Sequence, residues 1–125
     1  MTRLLLLNGP PASGKSTIAR RFVAERPMTL NLDVDVIRGM LGDWISAPRA
    51  SGRAARSLAL AMTEAHLGAG HDVIIPQFLG RAEFVDQLGA VAERMNATFV
   101  EIALCLDRNA ALNAFADETN RRRAG

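Results

Sequence analysis

The chain has 125 residues, 49% of them hydrophobic and 22% charged, with a formal net charge of +2; this composition excludes a disordered tail or a fibre and fits one globular domain with its own core. A lone cysteine, Cys105, excludes a disulfide framework and a multi-thiolate metal site, and points to a cytoplasmic setting. Basic side chains number 15 against 13 acidic ones, and apart from Arg121-Arg122-Arg123 they are scattered, which argues against nucleic acid as a partner.

The first apolar run, Leu4-Leu5-Leu6-Leu7, is stopped by Asn8-Gly9-Pro10-Pro11. That is far short of the ~20 residues that span a bilayer or the ~7–15 of a secretory core, so Arg3 to Leu7 reads as a buried strand and no membrane partner is expected. From Lys15 to Arg26 the apolar positions Ile18, Ala19, Phe22 and Val23 recur at helical spacing until Pro27 ends them. Met28 to Leu32 predicts a second strand closing on Asp33-Val34-Asp35, followed by a short helix from Val36 to Leu41, broken at Gly42. Asp43 to Gly52, with Trp44, Pro48 and Ser51, predicts a loop, and Arg53 to Leu67 a long helix ending at Gly68-Ala69-Gly70.

His71 to Pro76 predicts a third strand, with His71 and Asp72 as turn residues at its start, and Arg81 to Met95 a further helix with Phe84, Val85, Leu88, Val91 and Ala92 on one side. Thr98 to Leu106 predicts a fourth strand, and Asn109 to Ala116 opens a last helix running into the arginine cluster. Strands that are nearly continuous apolar runs, alternating with helices, predict an α/β fold: a parallel sheet of about four strands, covered by helices on both faces. With no repeat, linker or low-complexity tract in view, residues 1–125 are expected to form a single domain.

Of the 15 basic residues, 14 are arginine and the only lysine is Lys15. A guanidinium is a planar fork and an ammonium a compact point donor, so a lone lysine invites a chemical reason. It lies in Gly9-Pro10-Pro11-Ala12-Ser13-Gly14-Lys15-Ser16, which fits G-x-x-x-x-G-K-[ST] at every fixed position and sits between a predicted strand and a predicted helix. Such a loop wraps a phosphate, with backbone N–H groups from Ser13 to Thr17 turned inward and the helix dipole favouring an anion. The nucleotide-binding set is therefore Gly9, Ala12, Ser13, Gly14, Lys15, Ser16 and Thr17. Lys15 reaches the β- and γ-phosphates of ATP and the Ser16 hydroxyl ligates Mg²⁺. The alternative is a Gly/Pro turn that only caps a helix.

Over nearly its whole length the chain resembles the P-loop kinases, a group that includes shikimate kinase, gluconate kinase and chloramphenicol phosphotransferase. It is most similar to the small AAA-like P-loop kinases of bacteria. The resemblance rests on Leu4 to Gly9, the phosphate loop, Asp33-x-Asp35, and His71-Asp72-Val73-Ile74-Ile75-Pro76-Gln77. It implies a P-loop NTPase fold, with Asp33 holding Mg²⁺ or its waters and Asp35 orienting or deprotonating the hydroxyl that attacks the γ-phosphate. Either aspartate can instead cap the helix that follows. Arg38, three residues after Asp35, shares its helical face and either binds an anionic acceptor, steadies Asp35, or is a solvated ion-pairing residue. Lys15, Asp35 and Arg38 are thus the catalytic candidates, and Ser16 and Asp33 the metal candidates.

Gln77 stands where many P-loop NTPases place an aspartate, which shifts the metal task to Asp33. Trp44, Arg49 and Arg53 either contribute to an acceptor pocket or lid or anchor a loop on the core. Kinases of this group continue through a lid helix and a fifth strand, whereas this sequence stops at Gly125. Incomplete base recognition and a homodimer that completes the sheet are therefore expected. The leading reading is an ATP- and Mg²⁺-dependent phosphotransferase on a small hydroxyl-bearing acceptor. The others are a non-catalytic nucleotide-binding protein acting through a partner, and a nucleic-acid module using Arg121 to Arg123.

Overall fold

In the computed structural model, which describes residues 1–10, 13–77 and 81–104, the first apolar run becomes strand β1 (Arg3–Asn8), with its four leucines buried. Around it follow α1 (Lys15–Ala24), β2 (Leu30–Asn31), α2 (Val34–Gly39), a 3₁₀ turn (Trp44–Ser46), α3 (Pro48–Gly68), β3 (Val73–Gln77), α4 (Ala82–Arg94) and β4 (Thr98–Ala103). The strands form one parallel sheet in the order β2-β3-β1-β4. Leu4 to Asn8 lie opposite Val73 to Gln77 on one side, and Arg3 to Asn8 opposite Thr98 to Ala103 on the other.

The two faces of the sheet sort the helices. Leu5, Leu7 and Ile74 pack with Ala19, Phe22 and Val23 of α1. Leu4, Leu6, Val73 and Ile75 pack with Val34 and Ile37 of α2, Ala55 and Ala59 of α3, and Phe84, Leu88 and Val91 of α4. Alternate residues of β1 and β3 thus feed opposite cores, which is why these strands read as unbroken apolar runs. Right-handed crossovers require this sorting: the chain moves one way across the sheet from β1 to β2, and the other way from β2 to β3 and on to β4. The neighbouring strands β1 and β3 therefore send their connections in opposite directions. That leaves a crevice beyond their carboxyl ends, where ligands of such sheets collect.

Several boundaries differ from the sequence reading. The long helix begins at Pro48, not Arg53: proline at its first turn needs no N–H partner and has its φ already set, so Pro48 to Gly52, read as loop, are helix. The helix after β2 begins at Val34, not Val36, because Asp33 caps it. The second strand shrinks to Leu30–Asn31, since Met28 takes a left-handed φ of 69° and cannot continue an extended run. The first helix stops at Ala24, before Pro27. Asp72 confirms its place in the turn before β3, where its carboxylate accepts from the Arg3 backbone N–H (2.8 Å) and side chain (3.2 Å) at the end of the sheet opposite the crevice. The predicted helix from Asn109 to Ala116, Cys105 and Arg121 to Arg123 lie outside the described residues. Among the described residues no helix is long and apolar enough to cross a membrane.

Candidate functional site

The phosphate loop leaves β1 at the crevice and is fastened to both neighbouring strands. The Gly9 N–H donates to the Gln77 carbonyl (3.2 Å), and the Leu104 N–H donates to the Asn8 carbonyl (2.7 Å). A side chain at Gly9 would meet the Ser13 Oγ at 2.8 Å and the Leu104 Cβ at 3.0 Å, so the loop can fold back over this residue only because it is glycine. Gly14 takes a φ of 87° and serves as the N-cap of α1, with no side chain capping the helix and no acidic residue in its first turn. The N-terminal N–H groups of α1 and the positive end of its dipole therefore face the loop without a carboxylate of their own.

Two side chains complete the cradle. The Ser13 hydroxyl is buried and has no hydrogen-bond partner among the described residues. An orphaned buried hydroxyl is costly unless a ligand satisfies it, and an anion in the loop would do so. The Lys15 Nζ donates to the Pro10 carbonyl (3.3 Å), bridging the two ends of the loop. An ammonium at the mouth, an uncapped helix N-terminus and a buried unpartnered hydroxyl together form a donor set suited to a phosphate chain. Ala12 lies outside the described residues. The Thr17 hydroxyl accepts from the Arg20 Nη2 (3.3 Å).

The metal candidates come together: Ser16, at the start of α1, and Asp33, the residue before α2, line one cavity of about 340 Å³ with Arg20, Asn31 and Pro76. One oxygen of Asp33 is committed, since Oδ1 accepts from the Asp35 N–H (2.9 Å) and caps α2. The other carboxylate oxygen is left for a cation. A hydroxyl and one carboxylate oxygen suit Mg²⁺, which takes few protein ligands and keeps several waters. The buried Asn31 Oδ1 beside them has no partner among the described residues; sequence reading missed it, and an isolated Asn at a strand end carries no signal that could have found it.

Asp35 and Arg38 stand one turn apart on α2, Asp35 exposed and Arg38 half-buried. Arg38 is held by the segment that opens α3: its Nε donates to the Ser51 Oγ (3.0 Å), its Nη2 donates to the Pro48 carbonyl (2.7 Å), and its guanidinium lies 5.5 Å from the centre of the Trp44 ring. Ser51 is itself buried and donates to the Trp44 carbonyl (3.1 Å). Arg38 is thereby fixed in a second cavity, of about 660 Å³, whose walls include Arg49, Arg53, Arg56 and Arg81. Burial, and then the neighbouring Arg81 charge, push the Arg56 guanidinium below its ordinary pKa; Glu83 opposes this, and Arg38 and Arg53 add to it. Arg49 and Arg53 both line this cavity, whereas Trp44 is joined to it through its contact with Arg38. Arg56 and Arg81 were missed, although Arg49, Arg53 and Arg56 at i, i+4 and i+7 share a face once α3 starts at Pro48.

Comparison with known proteins agrees with this fold and loop. No curated protein matches the chain. Among solved structures, a chain of the Pnkp1/Rnl/Hen1 complex superposes with a TM-score of 0.72 at 25% identity, covering 90% of this chain and 38% of that one. The present chain thus spans well under half the length of that relative. The APS kinase CysC of Mycobacterium tuberculosis superposes with a TM-score of 0.63 at 20% identity, covering 82% of this chain and 75% of that one. A sugar kinase from Janibacter sp. HTCC2649 gives 0.55 at 20%, covering 93% and 67%. The sequence matches the AAA domain family over residues 4–124. With the parallel β2-β3-β1-β4 sheet, the phosphate loop at its switch point and a family match along nearly all of its length, the chain belongs to the AAA domain family and has the fold of the P-loop kinases.

Proposed function

We propose that this domain is an ATP- and Mg²⁺-dependent phosphotransferase acting on a small hydroxyl-bearing acceptor. The observation that carries this reading is the phosphate loop itself, with Gly14 turning into an uncapped helix, Lys15 across the mouth and the Ser13 hydroxyl buried without a partner. In this reading the backbone from Ser13 to Thr17 and the Lys15 ammonium hold the β- and γ-phosphates and offset the charge that develops between them. Ser16 and the free oxygen of Asp33 would hold Mg²⁺, which supplies charge neutralisation of the phosphate oxygens when bound.

Asp35 orients the acceptor hydroxyl and takes its proton. The acceptor oxygen forms its bond to the γ-phosphorus as the bond to the β–γ bridging oxygen breaks, and ADP leaves with that electron pair. Exposure of Asp35 at the first turn of α2, on the flank it shares with Arg38, supports this role, because an acceptor seated beside Arg38 brings its hydroxyl to the same helical face. The kinases of similar fold support the reaction class.

Acceptor-dependent ADP formation, measured for the wild type and Lys15→Met across a panel of alcohols, tests the reading. Turnover in the wild type, lost in the variant, is the expected result. Equal turnover in both contradicts the mechanism, and nucleotide binding with no turnover on any acceptor favours a non-catalytic nucleotide-binding protein.

A further inference from the structure

Among the described residues, the cavity beyond α2 concentrates positive charge more than any other place. Arg38 comes from α2, Arg49, Arg53 and Arg56 from one face of α3, and Arg81 from the N-cap of α4, so five guanidinium groups from three elements line a single space of about 660 Å³. The whole chain carries only +2. Among the described residues the ion pairs are Arg3–Asp72 and Arg94–Glu64, and none of these five arginines takes part in one. The carboxylate at the edge of the cluster is Glu83, in the first turn of α4. Gathering like charges costs free energy that solvent only partly offsets, so five guanidinium groups beside one lining carboxylate among the described residues are explained by an anion that comes and goes.

The array is also pre-organised. Two donors of Arg38 are spent on Ser51 and Pro48, which locks its fork and leaves its other N–H groups for a ligand. Gly52, inside α3, makes room for the Arg56 guanidinium: a side chain there would meet the Arg56 Nη1 at 3.2 Å. Forks that converge from three elements suit a tetrahedral dianion, which presents oxygens in several directions, better than a planar carboxylate, which a single fork can grip. The volume lies in the range of sites for small molecules. A nucleic-acid strand would need a groove with aromatic stacking platforms, but among the described residues the aromatic side chains beside the arginines are Trp44, covered by Arg38, and Phe84, buried in the core.

We propose that the cavity framed by Arg38, Arg49, Arg53, Arg56 and Arg81 binds a phosphate-class dianion, and that the acceptor is a small alcohol already carrying such a group. The second half of this statement rests on the kinase reading above; the first does not. The anion anchors the acceptor beside Arg38, and its free hydroxyl extends along α2 toward Asp35, so the arginines select for substrate charge while Asp35 serves the chemistry.

The chain carries its own reporter, since Trp44 is its one tryptophan, it has no tyrosine, and the ring lies against Arg38. Trp44 emission is followed during titration with inorganic phosphate or with acetate at constant ionic strength. The titration is done in a Lys15→Met background, so that the phosphate loop is weakened as a competing site, and is repeated with Arg53→Gln/Arg56→Gln or with Arg21→Gln added. Saturating binding of phosphate but not acetate is expected, weakened about tenfold or more by the double change and unaltered by Arg21→Gln, which lies on α1. Equal responses to phosphate and acetate, or equal phosphate affinity in the double variant, overturn the anion site. Competition by glycerol 3-phosphate supports a small ligand; displacement by a single-stranded oligonucleotide alone, falling steeply with salt, overturns that assignment.

The two readings fail separately. Saturable phosphate binding without turnover on any phosphorylated alcohol removes the kinase reading and leaves the anion site. Turnover confined to uncharged alcohols and indifferent to the double change keeps the kinase reading and removes the phosphorylated acceptor.

Discussion

Replacing Gly9 with alanine places a methyl group 2.8 Å from the Ser13 Oγ, 3.0 Å from the Leu104 Cβ and 3.2 Å from the Leu104 carbonyl oxygen. Non-bonded carbon contacts are most favourable at about 3.5–4.0 Å, so all three neighbours must give way. Leu104 is held by its N–H bond to Asn8, which leaves the Ser13 end of the loop to move. Overpacking of this kind costs about 1–3 kcal/mol. At roughly 3–6 °C per kcal/mol for a chain of this size, the unfolding midpoint of Gly9→Ala falls by about 3–18 °C. Gly14→Ala costs about 1–2 kcal/mol for a different reason, the left-handed backbone, since no atom lies within 4 Å of its added methyl. A thermal or urea double-mutant cycle with Ser13→Ala separates the two. Removing the hydroxyl relieves a large part of the Gly9→Ala penalty and none of the Gly14→Ala penalty. If Gly9→Ala costs the same with and without the Ser13 hydroxyl, close packing against that residue is not what the glycine serves.

Asp33→Asn keeps a capping oxygen, so its midpoint stays near wild type while its Mg²⁺ requirement for nucleotide binding rises; Asp33→Ala also loses the cap and about 1 kcal/mol of stability, read by urea unfolding. Asp35→Asn, which keeps its backbone N–H bond to Asp33, is expected to retain nucleotide binding and to lose turnover by about a hundredfold or more in steady-state assays. Ser51→Ala removes the hydroxyl between Arg38 and the Trp44 carbonyl, costs about 1–3 kcal/mol and changes Trp44 emission; unchanged emission would show that the hydroxyl does not position the pair. Leu6→Ala, in the fully buried centre of the sheet, costs about 2–5 kcal/mol by the same unfolding assay.

The phosphate loop was legible because its glycines, lysine and serine are required by local backbone chemistry, and the strands on either side because a parallel sheet buried on two faces leaves unbroken apolar runs. The sorting of Leu4 and Leu6 from Leu5 and Leu7 was not visible, since both faces are equally apolar and only the crossovers distinguish them. Which aspartate caps α2 depended on a start two residues earlier than the apolar pattern indicated, because Val34 belongs to the helix and packs on the core. The arginine cavity was half legible. Arg38, Arg49, Arg53 and Trp44 were singled out, but reading Pro48 to Gly52 as loop hid the helical face that joins Arg49 to Arg56. Arg81 joins from 25 residues beyond Arg56, through a contact that only the packed α3–α4 pair creates.

The central claim is that the loop around Lys15 is a Mg²⁺-nucleotide site, and thermal unfolding of the wild type and Lys15→Met with and without Mg²⁺·ATP tests it most directly. A ligand at ~100 times its dissociation constant adds ~2.7 kcal/mol, enough to raise the midpoint by several degrees. The account predicts a Mg²⁺-dependent rise in the wild type and none in Lys15→Met, the two proteins unfolding at the same temperature without ligand. No rise in the wild type, or an equal rise in both, would contradict it.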